Sequence, residues 1–195
     1  MIDKIVRTLP ADGGTQIACA VPLLGFAAFS GTGKTTLLEQ LLPLLTAAGL
    51  RVGVVKHAHH QFDIDQPGKD SYRLRKAGAS QMVVASGRRI AWIAERTSPA
   101  EEPRLADALA ALDTAALDLV LIEGFKHEPY PKIELHRPSL GKPLLHPTDP
   151  SIIAIASDVA LSPEQCGGLV QLSLNAPTQF VDFIADAVLN QAAVR

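Results

Sequence analysis

The chain has 195 residues, 47% of them hydrophobic and 19% charged, a balance that fits a globular protein and excludes a disordered one. The formal net charge is −2, and without a basic excess to hold a sugar-phosphate backbone, DNA and RNA binding are disfavoured. Cys19 and Cys166 lie far apart and give neither a disulfide framework nor a CxxC zinc site. With no bilayer-length apolar run and no signal-peptide pattern at the start, a cytoplasmic protein with no membrane contact is expected.

Residues 1–20 precede the first core strand, with a turn at Asp12-Gly13-Gly14, and read as an extension whose order the pattern leaves open. An apolar run predicts a strand over 23–28. It leads into Ala28-Phe29-Ser30-Gly31-Thr32-Gly33-Lys34-Thr35-Thr36, and a helix is predicted over 34–48, closed by Gly49 and disturbed at Pro43. Strand, glycine turn, lysine, hydroxyl and helix is the order of a phosphate-binding P-loop. Gly31 and Gly33 let the backbone curl so that amides face one anion, with Ser30 and Thr32 in the same curl. Lys34 can reach the β- and γ-phosphates, and Thr35, followed by Thr36, can offer a hydroxyl to Mg²⁺. The strict motif has glycine where this chain has Ala28.

A second buried strand is predicted over 50–56, which completes a parallel β-α-β unit. The polar loop 57–69 follows, then a short helix capped by Asp70 or Ser71 and closed by Gly78. Two strands, 81–85 and 90–95, flank Ser86-Gly87-Arg88-Arg89 as a hairpin that adds antiparallel pairing to the sheet. Ser98-Pro99-Ala100-Glu101 reads as a capping box opening a helix to about residue 112. Strands are expected over 118–124, 132–136, 152–157 and 170–174, with a proline-rich loop at 138–150. Asn175 is expected to cap a final helix over 178–190. The fold class is therefore α/β, a three-layer P-loop nucleoside triphosphate hydrolase fold with a mostly parallel sheet and an antiparallel hairpin. Residues 21–195 read as a single domain.

Three further constellations carry chemistry. Glu123 ends an aliphatic strand downstream of the P-loop, the Walker B position, where a carboxylate meets Mg²⁺ directly or through water. Asp158 ends another strand; a carboxylate accepts the N1–H and N2–H₂ donors of guanine, which adenine does not present together. Lys56, His57, His59 and His60 cluster at one strand end with Asp63 and Asp65 behind them. That cluster reads as a switch-like loop, surroundings for Mg²⁺, a substrate-anion site, or a transition-metal site lacking the ligand pattern of structural zinc. Lys69 and Lys126 are the other polar groups expected at this edge. No glutamine or arginine stands out as the charge-neutralising group of a fast GTPase, and Arg73 and Arg75 read as exposed.

These pieces together resemble the molybdopterin-guanine dinucleotide biosynthesis adaptor protein B (MobB) family. The resemblance lies in the P-loop 26–37, in Val55-Lys56-His57-Ala58-His59-His60, and in Pro67-Gly68-Lys69-Asp70-Ser71-Tyr72 with Arg75-Lys76-Ala77-Gly78-Ala79. It extends to Leu119-Val120-Leu121-Ile122-Glu123-Gly124-Phe125-Lys126 and to Ile155-Ala156-Ser157-Asp158. It implies a GTP-binding, weakly hydrolysing, cytoplasmic homodimer that works beside the guanylyltransferase and other molybdenum cofactor biosynthesis proteins. It further implies that residues 31–36 hold phosphates and Mg²⁺, that Glu123 serves the metal and that Asp158 sits where guanine is read. Lys56 and His57 would face nucleotide or pterin phosphate. Two other functions fit the same residues: a small-molecule kinase with Asp63 or Asp65 as base, and a scaffold stabilised by nucleotide.

Overall fold

The computed structural model describes residues 17, 19–58, 62–96 and 102–190. The chain divides into two compact units, Met1–His57 with Arg104–Arg195, and Ala58–Pro103. The first is built on six strands: β1 (Leu23–Ala27), β2 (Val52–Lys56), β5 (Leu119–Glu123), β6 (Lys132–His136), β7 (Ile152–Ser157) and β8 (Val170–Ser173). They form one sheet in the order β2-β5-β1-β6-β7-β8, with every pairing parallel. Strands β5 and β7, inside the sheet, read as nearly unbroken aliphatic runs because both of their faces are covered.

Alternation along the strands sorts side chains to the two faces. Leu24 and Phe26 of β1 and Leu119 and Leu121 of β5 join a core with α1 (Lys34–Ala47) and α5 (Thr178–Ile184). From those helices come Leu37, Leu41, Leu45, Phe180 and Ile184. Leu23, Val120 and Ile122 face the other way, toward Leu105 and Leu109 of the short α3 (Leu105–Leu109). The sheet is thus the middle of three layers, and each fully buried leucine or isoleucine contributes about 1.5–3 kcal/mol. Helix α1 runs through Pro43, which lies on its exposed side, where the carbonyl left without a helical donor meets water.

The second unit holds α2 (Asp70–Lys76) and the hairpin β3 (Gln81–Ala85) with β4 (Ile90–Ala94). Val83 pairs with Trp92 and Ala85 with Ile90, and Val83, Ile90 and Trp92 are exposed. The hairpin forms a two-stranded sheet of its own and does not join the six strands. This corrects the expectation that it adds antiparallel pairing to the main sheet. Alternation predicts a hairpin, but it does not say what the hairpin's outer edges pair with.

Other expectations shift at the ends of elements. Lys69 is the cap of α2, and Asp70 is its first helical residue. Pro177 precedes α5, which continues as a π-helical segment, Ala185–Leu189. Asn175 instead donates from its side chain toward the Asp158 carbonyl at 3.4 Å. A helix not foreseen, α4 (Pro163–Cys166), carries a full capping box between Ser162 and Gln165. The expected box at 98–101 lies outside the described residues, as do His59, His60 and nearly all of the 1–20 extension.

Candidate functional site

The loop after β1 owes its shape to two glycines. Gly31 has φ 82° and Gly33 φ 99°, both left-handed, where an L side chain is strained. Ala28 adopts no such φ, since Phe125 is the one described non-glycine residue with a positive value; this accounts for alanine in the motif's first glycine position. The Thr32 hydroxyl donates to the Phe29 carbonyl at 2.8 Å and closes the curl from inside. Ser30, Gly31, Thr35 and Thr36 are exposed, whereas Thr32 is buried. Gly33 caps α1 without any side-chain hydrogen bond, so the first-turn amides take no side-chain acceptor and suit an anion. Lys34 Nζ donates to the Ala28 carbonyl at 3.2 Å.

On one flank of this loop stand the ends of β5 and β2. Register places Glu123 beside Phe26 on one side and Lys56 on the other. Lys56 Nζ lies 3.3 Å from Glu123 Oε2, and the His57 amide donates to the Glu123 carbonyl at 2.8 Å. The turn behind Glu123 is tightly determined. Gly124 has φ 102°, and a Cβ there would lie 2.4 Å from His57 Cβ. Phe125, at φ 49°, stacks on the His57 ring at 4.6 Å, and the Tyr130 hydroxyl donates to the Gly124 carbonyl at 2.6 Å. Burial lowers the Lys34 ammonium from its ordinary pKa; Glu123 opposes that, while Lys126 and Lys56 add to it. Lys34 thus lies within the fields of two further lysines and one carboxylate, an excess of positive charge suited to a polyphosphate.

Among the described residues no three His, Cys, Asp or Glu side chains group as metal ligands. The Thr35 hydroxyl and the Glu123 carboxylate, an exposed group on α1 and one at a neighbouring strand end, are hard oxygen donors. Mg²⁺ is bound in this way, by few protein oxygens alongside phosphate and water, so the donor set fits that ion.

The opposite flank holds a residue that the sequence reading missed. Arg137 directly follows β6, whose His136 pairs with Ser157 of β7. Its Nε donates to the Thr32 carbonyl at 2.8 Å and its Nη1 to Asp158 Oδ2 at 2.7 Å. Asp158 Oδ1 is buried and accepts no hydrogen bond from any described residue. Beside this pair lies a cavity of about 310 Å³ lined by Gly33, Thr36, Leu37, Gln40, Arg137, Leu174 and Asn175. The order β2-β5-β1-β6-β7 thus sets Glu123 and Lys56 to one side of the phosphate loop and Arg137 and Asp158, with Asn175, to the other. Ligands of open α/β sheets bind at such carboxyl edges. The one signal available for Arg137 was its place immediately past the strand expected over 132–136 in a mostly parallel sheet.

In the second unit, Arg75 is buried, not exposed as expected. Its guanidinium reaches Asp63 at 2.7 Å, Asp65 at 3.1 Å and also Glu95. The Asp65 backbone amide and then Arg75 hold the Asp63 carboxyl below its usual pKa. For Asp65, burial pushes upward, but hydrogen bonds from Ser71, Arg75 and the Gln66 amide outweigh it and the net shift is downward. Carboxylates so engaged are weaker proton acceptors than free ones.

Comparison with known proteins adds an independent line. Residues 23–158 match the family described as MobB, molybdopterin guanine dinucleotide synthesis protein B. The chain is 48% identical to the molybdopterin-guanine dinucleotide biosynthesis adapter protein of Escherichia coli K12 over 172 residues, 88% of this chain and 95% of that one. It is 43% identical to the protein of that name in Haemophilus influenzae, over 84% and 88% of the two chains. A crystal structure of molybdopterin-guanine biosynthesis protein B superposes with TM-score 0.63 at 27% identity, covering 84% of this chain and 96% of that one. Bacillus subtilis MobB superposes with TM-score 0.61 at 25% identity, covering 86% and 97%.

Proposed function

Because the chain belongs to the MobB family, we propose that it is a GTP-binding adapter in molybdopterin guanine dinucleotide biosynthesis, with slow intrinsic GTPase activity. It supports the attachment of GMP to molybdopterin beside the guanylyltransferase, as a cytoplasmic homodimer. The observation that carries the nucleotide part is the sheet order: a phosphate loop with left-handed Gly31 and Gly33 stands between Glu123 and the Arg137–Asp158 pair.

In this reading the amides of Ser30, Gly31, Thr32, Gly33, Lys34 and Thr35 enclose the phosphates. Lys34 leaves the Ala28 carbonyl for the β- and γ-phosphate oxygens. Thr35 and Glu123 hold Mg²⁺, which when bound neutralises charge on the terminal phosphates. Lys56 and His57 line the outer side of that pocket, and Thr36 the inner. The base lies in the cavity beside Gly33 and Asn175, with Asp158 next to it on the guanine flank through its bond to Arg137. Arg137 is tied to the Thr32 carbonyl and Asp158 on the base flank. With no arginine assigned to the γ-phosphate, turnover by the isolated protein stays below about one per second.

Titrating the purified protein with GTP, ATP and GDP, with and without Mg²⁺, tests the reading. GTP should bind more tightly than ATP, Mg²⁺ should strengthen it, and Lys34→Ala should abolish it. Equal affinity for GTP and ATP would overturn the guanine assignment, and absence of binding would overturn the nucleotide function.

A further inference from the structure

The cavity beside the phosphate loop is lined by Arg137, whereas Asp158 is not among its lining residues. That difference matters for how a purine would be recognised. Arg137 has two of its three nitrogens committed: Nε to the Thr32 carbonyl and Nη1 to Asp158 Oδ2. Nη2 makes no hydrogen bond to any described residue, and a Cβ added to Gly33 would sit 3.7 Å from it. The guanidinium is therefore clamped from two directions, with its remaining N–H pair at the glycine that borders the cavity. Both Asp158 oxygens are less available: Oδ2 already accepts from Arg137, and Oδ1 is buried.

A planar donor fixed in this way reads acceptors. Guanine offers the acceptor O6 on its N7 edge, and the uncommitted Nη2 group can donate to it, while Nε and Nη1 stay engaged with Thr32 and Asp158. Adenine places an N6 amine, a donor, where guanine has O6, so the same Nη2 group meets a donor and loses its partner. We infer that Arg137 is the purine-contacting residue of this chain, selecting guanine through its O6/N7 edge, and that Asp158 is a positioning residue which holds the guanidinium from behind. The inference rests on the GTP reading and deepens it by naming which edge of the base is read and by which side chain. The second clamp, from Thr32 to Arg137, links this base contact to the phosphate loop itself, because Thr32 lies inside the curl.

The two edges of guanine can be separated with analogues on the unmodified full-length protein. Inosine triphosphate keeps O6 and N7 but lacks the 2-amino group; 2-aminopurine riboside triphosphate keeps that group but lacks O6. Inosine triphosphate should bind within about threefold of GTP, while the 2-aminopurine analogue and ATP should each be weaker by about tenfold or more. Arg137→Ala and Arg137→Lys should erase the preference for GTP over ATP, bringing the affinity for GTP down to that for ATP. Asp158→Asn should lower the preference for GTP over ATP without creating discrimination between GTP and inosine triphosphate, a pattern that general loosening would not produce. If inosine triphosphate binds about tenfold or more weakly than GTP, and Asp158→Asn erases that difference, Asp158 itself reads the base and the inference is wrong. An equal loss of GTP and ATP in the Arg137 variants would also overturn it, making Arg137 a phosphate or loop contact. If the wild type binds GTP no better than ATP, the guanine reading and this inference fall together; if it prefers GTP by the other edge, only the inference falls. The analogue series needs no substitution, so it decides the matter even where a variant fails to fold.

Discussion

Replacing Gly124 by alanine should damage both stability and the metal flank of the site. At φ 102° an alanine carries about 1–3 kcal/mol of backbone strain. Its Cβ would lie 2.4 Å from His57 Cβ, with His57 N at 3.3 Å and Cα at 3.4 Å. These atoms are backbone or next to it, so the end of β2 must move; no flexible tip can swing aside. Movement there breaks the His57 amide to Glu123 carbonyl bond or the stack of His57 on Phe125, each about 1 kcal/mol. Together the loss is about 2–4 kcal/mol. Gly141→Ala is the matched control, since Gly141 is also left-handed, at φ 59°, with nothing within 4 Å of an added Cβ; it should cost about 1–2 kcal/mol. Equilibrium urea unfolding followed by circular dichroism compares the two, and the Gly124 variant should unfold at the lower midpoint by about 1 M. Equal midpoints would refute the argument that His57 closes the space beside Gly124.

Gly25→Ala should destabilise the protein by about 1–3 kcal/mol, measured by urea unfolding. The new methyl would meet Tyr130 Cε2 at 2.2 Å, on a ring held by its bond to the Gly124 carbonyl. Glu123→Gln should bind GTP within about tenfold of wild type yet lose most single-turnover hydrolysis; unchanged turnover would remove Glu123 from the chemistry. The Asp118 carboxyl is lowered to about 2 by hydrogen bonds from the Arg51 guanidinium and amide, against an ordinary 3.8. Between those values the unfolded chain binds more protons, so this contribution is present above pH 3.8 and is lost as pH falls through about 2. Urea midpoints measured across that range should fall less steeply for Asp118→Asn than for wild type.

Most of the sheet was legible because parallel strands covered on both faces are continuous apolar runs, as in Leu119-Val120-Leu121-Ile122 and Ile152-Ile153-Ala154-Ile155-Ala156. The phosphate loop was legible because glycine spacing and the lysine answer one geometric demand, and its left-handed Gly31 and Gly33 meet it. Local signals failed where the competing partner lies far away in sequence. Asn175 has a good cap side chain, but it turns toward the Asp158 carbonyl, 17 positions distant. Arg75 looks like any helix-surface arginine until Asp63, Asp65 and Glu95 surround it. Arg137 belongs to no local pattern; its partners, Thr32 and Asp158, are 105 and 21 positions away. The Ser162 to Gln165 box was readable in principle, and the helix was missed because it holds only four residues.

A crystal structure of the full chain with Mg²⁺ and a non-hydrolysable GTP analogue tests the central claim most directly. The account predicts the triphosphate inside the curl of residues 30–35, the metal between Thr35 and Glu123, and the guanine in the cavity bordered by Gly33, Arg137 and Asn175. A nucleotide bound elsewhere on the chain, with the curl and the cavity both empty at saturating ligand, would contradict it.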